Sequence, residues 1–249
     1  MCIRDSPDRI GLTKKVTVGI CGDAKQVAQQ ILDKLSSDAG NSGRDERKNL
    51  IHKTKSAWLQ TLAGLDHEED DPGTVWNKEA RERDKDRMSP RQAWRAIQDA
   101  LPKDAIISSD IGNNCAIGNA YPTFEKGRKY LAPGLFGPCG YGFPAILGAK
   151  IGCPDTPVIG FAGDGAFGIS MNEMSSCARE EWPAITMVIF RNYQWGAEKR
   201  NSILWFDDNF VGTELDPELS YAKVANACGL KGVTCKTMEE TTKAIKQSC

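Results

Sequence analysis

The fold is decided by the stretch Val158-Ile159-Gly160-Phe161-Ala162-Gly163-Asp164-Gly165, an apolar run that ends in a glycine-flanked aspartate. A short apolar run without polar alternation is typical of a strand that is buried on both faces. A second such run, residues 185–190, leads into Arg191-Asn192-Tyr193-Gln194-Trp195-Gly196. Segments with helical spacing alternate with these runs. The pattern predicts an α/β fold, a doubly wound parallel sheet with helices on both faces.

Strand and helix patterns alternate along the rest of the chain as well. Ser89 followed by Pro90 is predicted to begin a helix, because serine is a preferred N-cap and proline suits the first turn. Further strands are predicted at 15–20, 105–109 and 232–235. Further helices are predicted at 27–35, 144–151, 171–180, 220–228 and 238–247.

Three segments of different composition predict the domain organisation. Residues 1–37 hold one strand and one helix with Asp23 as its cap, too little to bury a core, so they are expected to be the end of a larger domain. Residues 38–88 are expected to be a charged linker with a helix over 44–65, since 14 of their last 23 residues are charged. Residues 89–249 carry the alternating strands and helices of the main domain.

Composition excludes several classes of function. With 32 Lys+Arg against 33 Asp+Glu, the net charge of −1 predicts no nucleic-acid partner and no anionic membrane surface. No apolar run approaches the roughly 20 residues that span a bilayer. The presence of only 2 histidines argues against a histidine triad or a multi-histidine metal site. The 9 cysteines, odd in number and without CxxC spacing, are interpreted as reduced, mostly buried thiols of a cytoplasmic protein.

The two strand ends predict a cation site. Because parallel strands present their carboxyl ends at one edge, Asp164 and Asn192 can converge if their strands are neighbours. A carboxylate oxygen, an amide oxygen and the backbone carbonyl of Gln194 suit Mg²⁺, which completes its shell with water and phosphate oxygens. Glycines beside Asp164 would let a diphosphate approach the backbone, with the amides of Gly165 and Ala166 as donors. Gly-Asp-Gly alone is also an ordinary turn.

Gly163-Asp164-Gly165, then 26 residues, then Asn192 resembles the thiamine diphosphate signature of the acetolactate synthase–pyruvate decarboxylase superfamily. Asp110-Ile111-Gly112-Asn113-Asn114 resembles the family's loop against the diphosphate, and residues 134–145 resemble its loop under the aminopyrimidine ring. The similarity covers about 89–249, the diphosphate-binding domain, which is expected to be truncated at its end. Residues 7–35 resemble the end of the family's central domain.

The resemblance implies a set of site residues. Gly137 would offer its carbonyl to the 4′-amino group, and Cys139 matches the apolar wedge that bends the cofactor, although a core thiol is the alternative. For Trp195, two interpretations remain: it packs against other residues, or it contacts the ligand. The residues implied to bind the cofactor are Ile111, Gly112, Asn113, Asn114, Gly137, Cys139, Gly163, Asp164, Gly165, Ala166, Asn192, Gln194, Trp195 and Gly196. The implied magnesium ligands are Asp164, Asn192 and Gln194.

Residues 190–201 and 204–215 resemble the sulfoacetaldehyde acetyltransferases within that superfamily, and Arg191 replaces an asparagine usual in acetolactate synthases. This implies conversion of sulfoacetaldehyde and phosphate to acetyl phosphate and sulfite. Arg191, Lys199 and Arg200 are candidates for gripping the anions, against the alternative of surface salt bridges with Glu198 or Asp207. An acetolactate synthase, a 2-oxoacid decarboxylase and a non-catalytic phosphate-binding module remain alternatives.

The family's catalytic glutamate lies in a pyrimidine-binding domain that nothing in residues 1–88 resembles. The chain is therefore expected to be a fragment, inactive alone and weak in cofactor binding. The resemblance also implies that the full-length form is a homo-oligomer with the cofactor at a subunit interface.

Overall fold

The computed structural model describes residues 2–4, 6–35, 43–67, 88–123, 129–179 and 181–249. Its contacts divide the chain into two units, residues 1–67 and 68–249. Residues 38–42 and 68–87 of the segment predicted as a charged linker lie outside the described residues.

The first unit contains a two-stranded parallel pair and two helices. Strands β1 (Cys2–Arg4) and β2 (Gly19–Cys21) pair in parallel, with a 3₁₀ turn at Pro7–Arg9 between them. Helix α1 spans Ala24–Lys34 and α2 spans Arg44–His67. Asp23 caps α1, as predicted, by accepting a hydrogen bond from the amide of Gln26 at 2.9 Å. The strand predicted at 15–20 is largely wrong, since pairing covers 19–21.

The second unit is built on a parallel sheet of four strands in the order β4-β3-β5-β6. The strands are β3 (Ile106–Ser109), β4 (Lys129–Leu131), β5 (Val158–Gly163) and β6 (Thr186–Phe190). The helices are α3 (Pro90–Ala100), α4 (Asn113–Gly118), α5 (Gly142–Gly152), α6 (Asp164–Ser170), α7 (Met174–Cys177), α8 (Gly196–Trp205), α9 (Tyr221–Ala227) and α10 (Met238–Ser248). Ser89 caps α3 in a capping box with Gln92, as predicted.

Helices cover both faces of this sheet, which confirms the predicted α/β fold. Successive residues of a strand point to opposite faces. On one face, the ring of Phe161 lies 4.5 Å from that of Trp94 on α3. On the other, Gly160 lies so close to Ile146 of α5 that a Cβ there would meet its side chain at 3.1 Å.

The strand order creates a crevice at the carboxyl edge of the sheet. The chain leaves β3 toward β4 on one side and leaves β5 toward β6 on the other, although β3 and β5 are neighbours. Such a reversal separates the loops that follow the two strands and leaves a ligand cleft between them. The amide of Asp110 donates to the carbonyl of Phe161 at 2.7 Å, so the loop after β3 begins beside the end of β5.

Three local predictions are wrong. The helix predicted at 171–180 is a 3₁₀ turn, Met171–Glu173, followed by one α-helical turn, because the main helix after β5 already begins at Asp164. The segment 232–235 is not a strand. The amide and carbonyl of Gly232 bond to the side chain of Asn226, at 2.8 and 3.0 Å, instead of to a neighbouring strand. The cysteines were expected to be mostly buried, but none of the 8 whose side chains the structure describes is fully buried.

In the described parts of the chain, no helix combines the length and apolar character needed to cross a membrane.

Candidate functional site

The carboxylate of Asp164 lies against the loop that follows β6. Strands β5 and β6 are parallel neighbours with Gly163 paired to Phe190, as the predicted cation site requires. Asp164 is only 3% exposed, and its Oδ2 accepts a hydrogen bond from the amide of Tyr193 at 2.7 Å. Covalent geometry then places the Cα of Asn192 within about 5 Å of that oxygen. The two predicted ligands therefore come from adjacent strand ends.

The environment of Asp164 acts on its charge in two opposite ways. Burial raises the pKa of the carboxyl group. Hydrogen bonds from the amides of Tyr193 and Gly165, and the charge of Arg191, oppose that rise. A divalent cation would favour the ionised form further, since it replaces the lost hydration with direct coordination.

The loop after β6 is held in an unusual backbone conformation. Tyr193 has φ +62°, a left-handed conformation that non-glycine residues adopt rarely and mostly at constrained sites. This turn directs the Tyr193 amide at Asp164, while the amide of Gln194 donates to Oδ1 of Asn192 at 3.3 Å. Asn192 is an exposed residue just after the end of β6.

Residues that follow three different strands, β3, β5 and β6, meet around two glycines. A Cβ on Gly196 would lie 2.8 Å from Nδ2 of Asn113 and 2.9 Å from Nδ2 of Asn192. A Cβ on Gly165 would lie 2.9 Å from the ring of Trp195. Only glycine fits at these positions without displacing those side chains. Trp195 therefore packs on the Gly-Asp-Gly loop, which agrees with the packing interpretation.

Asn114 presents a buried polar atom with no partner. The residue is 7% exposed, and its Nδ2 donates to the carbonyl of Asp110 at 3.4 Å. Its Oδ1 has no hydrogen-bond partner among the described residues and lies 3.8 Å from where a Cβ on Gly163 would be. Buried polar atoms are rarely left unpaired, so this end of the carboxamide is suited to a polar ligand at the Gly-Asp-Gly loop.

Asp110 is an organising residue that the sequence analysis did not single out. Its carboxylate is fully buried and accepts hydrogen bonds from the amides of Ile111 at 2.8 Å, Gly140 at 3.1 Å and Gly142 at 2.7 Å. Burial raises the pKa of Asp110, and these amides oppose the rise. The residue fixes the glycine-rich loop over the crevice. Its place directly after a buried strand was the available signal.

The glycine-rich loop carries Gly137 and Cys139. Gly137 has φ +61°, and a Cβ there would lie 3.5 Å from the side chain of Ile111. Cys139 is exposed, so the alternative of a core thiol is wrong. Partial desolvation, then the charges of Asp110 and Glu198, raise the pKa of the Cys139 thiol, which favours its neutral form. The roles of both residues toward the pyrimidine stay predictions.

Two of the three candidate cations have partners within the chain. Nη2 of Arg191 donates to the carbonyl of Pro217 at 2.8 Å. Nζ of Lys199 lies 2.5 Å from Oε1 of Glu214. This salt bridge has a different partner from Glu198 and Asp207, the two considered from the sequence. Arg200 is exposed. Anion binding by these residues stays a prediction.

These residues fit a diphosphate held through a divalent cation. Among the described residues, no cluster of three or more His, Cys, Asp or Glu side chains could hold a metal alone. A cation at Asp164 would therefore depend on amide, carbonyl and ligand oxygens, which is the coordination typical of Mg²⁺ bound with phosphate groups.

The chain matches a known family and curated proteins over most of its length. Residues 110–249 match the family described as "Thiamine pyrophosphate enzyme, C-terminal TPP binding domain". The chain is 76% identical over 241 residues to a "Probable sulfoacetaldehyde acetyltransferase" of Rhizobium meliloti (strain 1021), covering 97% of this chain and 41% of that protein. It is 72% identical over 242 residues to a "Sulfoacetaldehyde acetyltransferase" of Roseovarius nubinhibens, covering 97% of this chain and 40% of that protein.

A solved structure shares the fold. The Rhodococcus jostii RHA1 thiamine diphosphate-dependent 4-hydroxybenzoylformate decarboxylase superposes with a TM-score of 0.60 at 25% identity, covering 65% of this chain and 30% of that one. The chain spans about two fifths of the length of the two curated relatives. The family match shows that the chain belongs to the thiamine pyrophosphate enzymes, with residues 110–249 as their C-terminal cofactor-binding domain.

Proposed function

We propose that the protein containing this chain is a sulfoacetaldehyde acetyltransferase that depends on thiamine diphosphate and Mg²⁺. It would convert sulfoacetaldehyde and phosphate to acetyl phosphate and sulfite. The main support for this proposal is the 76% identity to a "Probable sulfoacetaldehyde acetyltransferase" and the 72% identity to a "Sulfoacetaldehyde acetyltransferase", each over 97% of this chain. Membership of a cofactor-dependent enzyme family argues against a non-catalytic phosphate-binding module.

In this proposal, the described chain supplies the half of the site that holds the diphosphate. Asp164, Asn192 and the carbonyl of Gln194 would hold Mg²⁺, supported by the short contact between the Asp164 carboxylate and the loop after β6. Asn113 and Asn114 would contact the diphosphate, supported by their position between Gly196 and the Gly-Asp-Gly loop. When bound, thiamine diphosphate supplies a nucleophilic carbon, and the protein supplies position and electrostatics.

The glycine-rich loop would hold the pyrimidine end of the cofactor. Gly137 would accept from the amino group through its carbonyl, and the neutral thiol of Cys139 would lie under the ring. Asp110 supports this assignment, because its bonds to the amides of Gly140 and Gly142 fix where the loop sits. A proton that leaves the pyrimidine nitrogen would need a carboxylate or another base from a different domain, since neither Gly137 nor the neutral thiol of Cys139 can accept it.

The remaining assignments complete the proposal. We assign residues 1–37 to the central domain, 38–88 to a linker and 89–249 to the diphosphate-binding domain. Lys199 or Arg200 would face the anionic substrates. The protein would be a cytoplasmic homo-oligomer of sulfonate metabolism with the cofactor between subunits, as in the superfamily that it resembles.

The test uses the full-length protein that contains this chain. Purified protein with thiamine diphosphate and Mg²⁺ should release sulfite and acetyl phosphate from sulfoacetaldehyde and phosphate. Omission of Mg²⁺, or the variant Asp164→Ala, should abolish both products and the retention of cofactor on gel filtration. Asp104→Ala is the control, because Asp104 is exposed and precedes β3, at the opposite end of that strand from the crevice. Carbon dioxide from pyruvate without sulfite from sulfoacetaldehyde would indicate a 2-oxoacid decarboxylase or acetolactate synthase instead.

A further inference from the structure

Two segments lie side by side after the end of β6. The ligand loop is residues 191–195, which follow β6, and the strap is residues 213–221, which run across it. The amide of Trp195 donates to the carbonyl of Thr213 at 2.8 Å, and the amide of Leu215 donates to the carbonyl of Tyr193 at 2.9 Å. The strap is therefore bonded along the ligand loop by backbone hydrogen bonds.

The far end of the strap reaches Asp164 directly. The hydroxyl of Tyr221 donates to the backbone carbonyl of Asp164 at 2.7 Å, and the Tyr221 ring packs edge-on against Phe167 at 5.1 Å. Tyr221 is 8% exposed, so this bond is sheltered from water. The strap thus contacts both strand ends that carry the proposed metal ligands.

Arg191 joins the middle of the strap to the ligand loop. Its Nη2 donates to the carbonyl of Pro217 at 2.8 Å, and its Cζ lies 4.4 Å from the centre of the Tyr193 ring. Tyr193 is the residue with φ +62° whose amide bonds to Oδ2 of Asp164. A cation stacked on the ring holds Tyr193 where its amide must point, and the bond to Pro217 fixes the cation.

We propose that Arg191 is a positioning residue for the metal site and not a substrate-binding group. It braces the ligand loop against the strap, so that Asn192 and Gln194 are held in place for the cation beside Asp164. The inference rests on the proposed function, because the metal site is itself part of that proposal. A guanidinium already bonded to a carbonyl and stacked on a ring has little freedom to follow a diffusing anion.

Conservative and non-conservative changes should differ in a graded way. Lysine can donate to the Pro217 carbonyl but lacks the flat group that stacks on a ring, and methionine can do neither. Residues that orient metal ligands typically change metal affinity by about 10-fold to 100-fold when replaced. We therefore expect the half-saturating Mg²⁺ concentration to rise about 10-fold in Arg191→Met and by a smaller factor in Arg191→Lys.

The first experiment titrates Mg²⁺ into full-length protein with a fixed concentration of thiamine diphosphate, and follows cofactor binding by near-ultraviolet circular dichroism. At saturating Mg²⁺, the KM values for phosphate and sulfoacetaldehyde should stay within about 2-fold of wild type, well below the 10-fold change expected for the metal. Arg179→Met is the matched control, because Arg179 is exposed and outside both segments. A raised KM for either anion with unchanged Mg²⁺ dependence would overturn the brace in favour of substrate contact.

The second experiment needs no cofactor. Hydrogen exchange of the metal-free protein should show faster deuterium uptake than wild type in peptides from 191–217 for Arg191→Met. Arg179→Met should show no such increase. Equal uptake and equal Mg²⁺ dependence in wild type and Arg191→Met would refute the inference while leaving the proposed function intact. Wild-type protein that binds no cofactor with Mg²⁺ would instead overturn the proposed function, and the inference with it.

Discussion

Replacement of Asp110 by asparagine tests whether one buried carboxylate organises the crevice. Asparagine keeps one oxygen, which can still accept from Ile111 and Gly140, but it places an NH₂ group where Oδ2 accepts from Gly142 at 2.7 Å. Loss of a charge-assisted bond that leaves a buried donor unpaired costs about 1–3 kcal/mol. Removal of a desolvated charge offsets part of this, since burial raises the pKa of Asp110. We expect a net loss of about 2 kcal/mol.

The assay is urea and thermal unfolding of Asp110→Asn, with Asp104→Asn as an exposed control. A loss of about 2 kcal/mol corresponds to a fall in Tm of roughly 4–8 °C for a domain of this size. Because the folded pKa is raised, this group's contribution to stability is fully present below its usual value of 3.8 and declines as pH rises through the folded value. The difference between wild type and variant should therefore not shrink on acidification from pH 7 to pH 5. Unfolding curves of Asp110→Asn that coincide with wild type would refute the reasoning.

Three further predictions concern the site and its support. Gly196→Ala should weaken cofactor retention about 10-fold or more. Its Cβ would meet the carboxamides of Asn113 and Asn192 at 2.8 and 2.9 Å, and displacement of groups that support a metal site typically lowers metal affinity about 10–100-fold. Gly148→Ala, with nothing within 4 Å of its Cβ, is the control, and equal retention in both variants would contradict the geometry. Tyr221→Phe should lower the free energy of unfolding by about 1 kcal/mol in urea, since it removes the bond to the Asp164 carbonyl but keeps the ring; an unchanged midpoint would count against that bond. The 249-residue chain alone should release no sulfite from sulfoacetaldehyde, and measurable turnover would disprove its dependence on a second domain.

The carboxyl edge of the sheet could be predicted from sequence because apolar runs mark buried strands, and residues that follow parallel strands share one edge. That logic placed Asp164 and Asn192 beside each other, and the pairing of β5 with β6 confirms its premise. The same logic places Asp110 at this edge, directly after β3, but it could not predict which groups its carboxylate binds. Its carboxylate accepts hydrogen bonds from amides 30 and 32 residues away. A sequence does not show which backbone amides will donate to a given side chain.

The wrong elements have physical reasons as well. The segment 232–235 has the composition of a strand, but the side chain of Asn226 competes for the backbone groups of Gly232. Helix α6 begins at Asp164 despite two glycines in its seven residues, because packing of Phe167 against Phe143 and Tyr221 outweighs weak local propensity. The partners of Arg191 and Lys199 could not be predicted either, because each partner lies more than ten positions away in the sequence.

The position of β6 has a consequence for handling the chain in solution. Within the described residues, β6 is an outer strand of its sheet, and its sequence Thr-Met-Val-Ile-Phe contains no charge. An uncharged, apolar edge strand has unpaired backbone groups that can pair with a strand of another molecule. Natural proteins usually protect such edge strands with lysine or proline. We expect the isolated chain to aggregate at high concentration, and a lysine introduced along that strand to keep it dispersed.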